Sequence, residues 1–460
     1  MNAIAIFDIG KTNKKLFLFD EQYKIVWERS FLIRECLDED GDPCEDLHML
    51  TAWVKDALLE LGSEPGDLRI RALNFSAYGA SLVHIGEDNR PVTSLYNYLK
   101  PYPDTLKRKF YDKYGGEVTF SMLTASPVLG SLNSGMQLYR IKEERPHTFE
   151  RIRHSLHLPQ YVSWLWTGQA CSDITSIGCH TNLWNFSQHH YHEWVYREGI
   201  MDKLAPLVPS TNGYPLKWPA GQPLPHGMAE DCVAGVGLHD SSAAMIPYLA
   251  SFREPFALIS TGTWCISMNP FNETPLTVAE LQKDCLCYLT WQGKPVKSAR
   301  LFAGYQHEQQ VRRLGDHFHR SPDQYASVAF DPDLADPVQA RIPTGSAPFS
   351  AVDLSAFGSY EQAYHALLLD IMEQQVASTT LILHGTDIKR IFVDGGFGKN
   401  QVYMHLLAAA FPHIEVFAAS IPQASAIGAA MAIHGQWNEG GLPGDLIELR
   451  YYRNYLNSNL

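Results

Sequence analysis

The sequence predicts an α/β protein of two related domains, and three observations carry that expectation. Its 460 residues are more than one ordinary core organises, which suggests two or three domains. A strand–turn–strand unit opens each half, one within the first twenty residues and one over 256–268. Apolar periods of strand and helix type then alternate along the chain, which implies layered α/β packing in both halves.

Taken in order, residues 3–7 and 16–19 are apolar and residues 25–31 alternate. They predict a three-stranded meander with turns at 8–15 and 20–22. Leu47, Leu50, Val54, Ala57, Leu58 and Leu61 fall at helical spacing and predict a helix over 46–61. Residues 73–75 and 82–85 read as strands around Ser76-Ala77-Tyr78-Gly79, and helical patterns dominate 133–167. The stretch 248–255 is the expected boundary, dividing the chain into 1–247 and 248–460. Beyond it, Tyr364, Leu367, Leu368, Ile371, Met372, Val376, Thr379, Ile382 and Leu383 outline a long amphipathic helix. A strand at 391–393, a glycine turn, a helix from 401, a strand at 414–417 and a helix over 424–434 complete the pattern.

Composition narrows the class. The chain is 45% hydrophobic and 19% charged, with a formal charge of −13. That charge argues against a general nucleic-acid partner or an anionic membrane surface. It leaves room for an anionic ligand held by local dipoles and a cation. Residues 1–8 have no basic region or long apolar run, and no segment reaches spanning length, so a cytoplasmic location is expected. Eight cysteines lie scattered without a CxxC pair, and Cys285 and Cys287 are too close for half a zinc knuckle. They read as isolated packing thiols in a reducing compartment.

Four segments carry chemistry. In Phe7-Asp8-Ile9-Gly10-Lys11-Thr12-Asn13 a carboxylate ends a strand and a Gly/Thr/Asn turn follows. The free N–H groups of such a turn suit phosphate, and a magnesium ion can bridge it to the carboxylate. The same pattern also describes a plain hairpin. A P-loop is excluded, because its first glycine would fall at Ala5 and a strand follows in place of a helix. Ile259-Ser260-Thr261-Gly262-Thr263-Trp264 is a second such turn. Gly235-Val236-Gly237-Leu238-His239-Asp240 brings Asp240 to a helix start, either as an N-cap or as a functional group at a strand end. Val393-Asp394-Gly395-Gly396-Phe397-Gly398-Lys399-Asn400 is a glycine-rich turn where backbone can approach a flat ligand.

Together and in this order the four segments resemble the FGGY family of carbohydrate kinases, within the superfamily of the actin and hexokinase ATPase fold. The resemblance implies two ribonuclease H-like domains facing each other across a cleft, with ATP and Mg2+ as cofactors and a small sugar as substrate. It implies that Asp8 serves the metal through water and that Gly10, Lys11, Thr12 and Asn13 form the first phosphate loop. Gly262 and Thr263 then close on the γ-phosphate, and Gly395, Gly396 and Asn400 hold adenosine. Asp240 is implied as general base, with His239 and the backbone at Gly79 touching the sugar. Tyr78 either stacks on the sugar or is simply a buried tyrosine at a strand end. A monomer or a homodimer is expected.

This chain departs from the family pattern at four places. Lys11 replaces a small hydroxyl residue, Phe397 replaces a third glycine, Gln423 stands where Glu is common, and residues 97–101 lack an Asp-x-Arg. His239-Asp240, the Gly-Thr-Trp turn and residues 159–168 look closest to the rhamnulokinase and fuculokinase branch. That likeness favours O-1 of L-rhamnulose or L-fuculose, with a pentulose, glycerol or a tetritol as alternatives. Two rival classes share the fold: an ATPase machine like actin or the chaperones, and a catalytically silent sugar- or nucleotide-binding regulator.

Overall fold

The computed structural model describes residues 1–59, 68–218, 223–335 and 348–454. Two seven-stranded sheets form its frame. In the first, β1 (Asn2–Ile9) pairs antiparallel with β2 (Lys14–Asp20), which pairs with β3 (Ile25–Phe31). On its other side β1 runs parallel to β4 (Arg69–Ala77), and β5 (Gly213–Pro215) and β6 (Met228–Gly235) extend that edge. The two-residue β7 (Leu238–His239) pairs with the far end of β4.

The second sheet repeats this plan. Its opening strand β8 (Phe256–Thr261) is antiparallel to β9 (Cys265–Asn269) and, through β9, meets β10 (Cys285–Leu289) and β11 (Pro295–Leu301) in the order β10-β11-β9-β8. On the other side β8 runs parallel to β12 (Arg390–Gly395), followed by β13 (Glu415–Ser420) and β14 (Glu448–Tyr452).

Burial explains why the central strands read as unbroken apolar runs. Ala3, Ala5, Phe7 and Ile9 of β1 face a core that includes α1 (Leu47–Asp56) and α2 (Leu158–Thr167). Ile4 and Ile6 face the opposite way, into a core shared with Phe256, Leu258 and Phe392 of the second sheet. A parallel strand covered on both faces loses the alternation of a half-exposed one. Two helices fill the shared core, α3 (Asp240–Ser251) and α7 (Ala424–Ala432). The second sheet's outer face is covered by α4 (Ala303–Phe318), α5 (Tyr360–Leu383) and α6 (Gln401–Ala410).

Local differences from the sequence reading have local causes. The helix expected over 46–61 ends at Asp56, and Leu61 lies outside the described residues. Within the helical stretch 133–167 a strand, Ile152–His157, pairs antiparallel with Leu82–Gly86. It directly joins helix Pro146–Arg151 to α2, with no glycine to mark it. The Ser359 hydroxyl accepts from the Gln362 N–H, so α5 begins at Tyr360. The expected boundary stretch 248–255 starts inside α3, whose Tyr248 hydroxyl donates to Asp394 Oδ2 at 3.2 Å. Among the described residues no helix is long and apolar enough to cross a membrane.

Candidate active site

Asp240 is the first residue of α3, and His239 before it takes the cap position. The N-cap alternative for Asp240 is therefore set aside. Its Oδ1 accepts from the Ser241 N–H at 2.6 Å and the Ser241 hydroxyl at 3.2 Å, and His239 Nε2 lies 3.2 Å away. Among the described residues these contacts all gather on Oδ1, leaving Oδ2 without a hydrogen bond. The side chain is 34% exposed, yet its surroundings are dry enough that burial pushes its pKa up to about 6.

His239 is buried, and burial lowers its pKa to about 4, so the ring is neutral at pH 7. Its Nε2 also lies 3.1 Å from Cys179 Sγ, and its ring tilts against Tyr288 at 5.7 Å. Gly79 is what admits it: a Cβ there would stand 2.9 Å from Cys179 Sγ and 3.0 Å from the imidazole. Gly79 thus backs the histidine that flanks Asp240.

Asp8 lies near the end of β1, opposite Lys15 of β2 and beside Ser76 of β4. Its Oδ2 accepts from the Ser425 hydroxyl of α7 at 3.1 Å. Burial raises its pKa to about 6, the charge of Asp240 adds to that, and the Ser76 and Ser425 hydroxyls oppose it. Two carboxylates short of cationic partners therefore share one electrostatic field. Oxygen donors of this kind fit a hard divalent cation.

The first turn is tight, with the Gly10 N–H donating to the Asn13 carbonyl at 2.9 Å. The Lys11 side chain lies against acidic and aromatic groups beside the turn. Its ammonium pairs with Glu35 at 2.9 Å and lies 5.8 Å from the Tyr78 ring centroid and 6.0 Å from that of Tyr98. Beneath the turn Lys14 is fully buried, ion-paired with Glu45, and donates to the Lys11 carbonyl at 3.0 Å. Tyr78 is buried and donates to Glu45 Oε2 at 2.9 Å, while its ring meets Tyr98 edge-on.

The second turn and the glycine-rich turn are knitted together. The Thr261 hydroxyl donates to the Asp394 carbonyl at 2.6 Å and accepts from the Phe397 N–H at 3.0 Å, and the Gly396 N–H reaches the Thr261 carbonyl at 3.1 Å. Gly395 has φ +91°, and a Cβ would lie 2.0 Å from that carbonyl oxygen, so no larger residue fits. Beside them opens a cleft of about 420 Å³ lined by Gly262, Thr263, Gly304, His307, Gly396 and Asn400, among others. That size suits a nucleoside, and Gly396 has nothing within 4 Å of where a side chain would begin.

The structure therefore brings Gly262, Thr263, Gly396 and Asn400 to one cleft, with Gly395 behind them and Gly10 to Asn13 outside it on the other hairpin. Asn400 also serves the fold: its Oδ1 caps α6 at the Tyr403 N–H and its amide donates to the Tyr364 hydroxyl at 2.6 Å. Phe397 is mostly buried, stacks on Tyr403 at 4.5 Å and also lines this cleft.

Sequence reasoning missed four groups. Ser425 on Asp8 was overlooked because only Gln423 nearby departs from a pattern. Lys14 reads as a turn residue and Glu45 falls outside every element read from the sequence. His307 and the rest of α4 lie in a stretch from which no element is read. Arg300 of β11 grips Asp284 with two hydrogen bonds, 2.6 and 3.1 Å, and lies 5.5 Å from the Trp264 ring. Its charge reaches Cys179 and Tyr288 near Asp240, and no motif marks it.

Known proteins share the family pattern and the fold. The pattern of the FGGY family of carbohydrate kinases, N-terminal domain, matches residues 3–246, and that of carbohydrate kinase FGGY, C-terminal domain, matches residues 253–440. A rhamnulokinase of Halalkalibacterium halodurans is 24% identical over 180 residues, covering 38% of this chain and 37% of that protein. The match thus spans little more than a third of that relative's length. The solved structure of a carbohydrate kinase from Novosphingobium aromaticivorans has a TM-score of 0.77 at 24% identity, covering 98% of this chain and 96% of its own. That of a xylulose kinase from Lactobacillus acidophilus has a TM-score of 0.80 at 18% identity, covering 99% and 94%. The shared architecture is the two-domain actin/hexokinase-like ATPase fold.

Proposed function

The chain belongs to the FGGY family of carbohydrate kinases and is a phosphotransferase, and we propose that it moves the γ-phosphoryl group of ATP to O-1 of a ketose, with Asp240 as general base. The observation that carries this reading is the state of Asp240: partly exposed, at a helix start, with one oxygen held by Ser241 and the other without a hydrogen bond among the described residues. A carboxylate whose pKa is about 6 is ionised at neutral pH and still basic enough to accept the proton of an attacking hydroxyl.

Phosphoryl transfer asks chiefly for alignment and charge neutralisation. His239 stays neutral, orients Asp240 and offers its edge to the sugar, and the backbone at Gly79 lines the same wall. Tyr78, whose hydroxyl is taken by Glu45, contributes ring surface only. The backbone of Gly10, Lys11, Thr12 and Asn13 faces the phosphates, while the Lys11 side chain belongs with Tyr78 and Tyr98 on the acceptor side. Gly262 and Thr263 close on the terminal phosphate, and Gly395, Gly396 and Asn400 form the adenosine wall. Asp8 would hold Mg2+, which when bound screens the phosphate charge. Residues 1–247 and 248–460 act as two lobes that close to exclude water.

For the acceptor we propose a 6-deoxy-ketohexose, L-rhamnulose or L-fuculose. The partial rhamnulokinase match and His239-Asp240 beside the Gly-Thr-Trp turn support it. One methyl-sized contact is worth about 1–3 kcal/mol, so selectivity over other ketoses is graded. The test is coupled ADP release over a panel of L-rhamnulose, L-fuculose, a pentulose, gluconate, glycerol and a tetritol. The highest kcat/KM on a 6-deoxy-ketohexose is expected. A better pentulose or glycerol would overturn the acceptor, and no sugar-dependent ADP release at all would overturn the kinase reading.

A further inference from the structure

Six of the eight cysteines are the buried packing thiols that the sequence suggests, but Cys36 and Cys44 are not isolated. They face each other across an antiparallel pair of short strands, Glu35–Leu37 and Pro43–Glu45, in direct register. Their sulfurs are 3.3 Å apart, with Cys36 exposed and Cys44 buried. A disulfide needs an approach to about 2.0 Å between residues whose backbones already oppose each other, so closure asks for side-chain rotation and little else.

The same two strands carry the groups that hold the first turn. Glu35, next to Cys36, receives the Lys11 ammonium at 2.9 Å and the Asn97 amide at 3.2 Å. Glu45, next to Cys44, holds Lys14 and Tyr78, and Lys14 in turn donates to the Lys11 carbonyl. The connecting loop is fixed at its far end, where Asp38, Asp40 and Asp42 surround the Lys100 ammonium. The sulfur pair is thus the unfastened middle of a hairpin whose two ends are tied, one of them to the loop at residues 10–14.

We propose that Cys36 and Cys44 form a reversible thiol–disulfide exchange site for small disulfides, and that its oxidation state sets the mobility of the loop at residues 10–14. Exchange begins at the accessible sulfur. The Cys36 thiolate attacks one sulfur of the small disulfide, whose S–S bond breaks and releases one thiolate, leaving a mixed disulfide on Cys36. Cys44 gives its proton to water and attacks Cys36 Sγ, expelling the second thiolate. The protein has lost two hydrogens and the reagent has become two thiols. Burial and the Cys36 neighbour push the Cys44 thiol up to about 12, so the second step is the slow one and quickens with rising pH.

The full-length chain, first reduced, is treated with bis(2-hydroxyethyl) disulfide, quenched by alkylation and digested. The peptide containing both cysteines is expected unalkylated and two hydrogens lighter, and it regains both thiols in dithiothreitol. Amide exchange over residues 10–14 slows about three-fold or more in the oxidised form, as expected when a local opening is restrained. Cys36→Ser, at an exposed position that tolerates the change, abolishes both effects. Full alkylation of both thiols, a mixed disulfide that stops at Cys36, or a disulfide with unchanged exchange at 10–14 would each overturn the proposal. Mass and exchange are read without turnover, so the outcome stands apart from that of the kinase assay.

Discussion

Gly428 of α7 lies directly against Ala243 of α3: a Cβ on Gly428 would stand 1.8 Å from the Ala243 carbonyl oxygen. The two helices therefore cross backbone to backbone within the core that the two sheets share. Asp240 opens α3, and Ser425 near the start of α7 holds Asp8. One glycine contact thus sets the spacing between the two helices that carry or tether both carboxylates of the candidate site.

Gly428→Ala is expected to cost about 1–3 kcal/mol, the usual range for overpacking. Because the displaced helices carry Asp240 and Ser425, turnover should fall as well. Thermal unfolding and ADP release measured on one preparation check this. An unchanged Tm would mean that the crossing relaxes freely.

Asp240→Asn keeps the shape and loses the proton acceptor, so kcat should fall on the order of 10²–10⁴ with ATP affinity little changed. The same variant should be more stable at neutral pH. Folding raises the Asp240 pKa from 3.8 to about 6, so the folded state binds the proton more tightly than the unfolded chain. Stability from this group is therefore greatest below pH 4 and is lost as pH rises through 6. Asparagine escapes that loss, so its Tm advantage at pH 7 should vanish near pH 3.5. A variant that is less stable at pH 7 would contradict this account of Asp240.

The pH profile follows from the same shifts. Burial raises Asp240 to about 6, and burial with the Asp240 charge raises Asp8 to about 6. Turnover should climb as Asp240 ionises, Asp8 being kept ionised by the cation it would hold, and level off above pH 7, giving an acid limb near 6 in place of the ordinary carboxylate value near 4. Initial rates between pH 4.5 and 8.5 test this, and a limb at 4 would show the site to be wetter than its burial implies.

Thr263 lines the nucleotide-sized cleft, and its carbonyl accepts from the Tyr305 N–H at 3.1 Å, which anchors α4 to the turn. Thr263→Val keeps that backbone bond and removes the hydroxyl. ATP should then weaken more than ADP, by about ten-fold for the loss of one hydrogen bond to a charged group. Calorimetric titration with each nucleotide measures the difference. Equal weakening would make Thr263 a turn residue only.

Elements whose causes are local were legible in the amino-acid order. Apolar runs with Asp8-Ile9-Gly10 and Thr261-Gly262-Thr263 between them can only fold back as hairpins, and the order of the four segments already carries the family. Whatever depends on distant partners was settled only by folding. Ser425 reaches Asp8 across 417 residues of chain, and Arg300 meets the surroundings of Asp240 from the other sheet. Lys11 takes its place from two distant carboxylates, Glu35 at 2.9 Å and Glu45 at 3.9 Å. Cys36 finds Cys44 because a short hairpin sets them in register. Periodicity records which face of an element is buried. It holds no information on what that face meets, since a hydroxyl, an ammonium or a thiol takes its role from the group folding places opposite it.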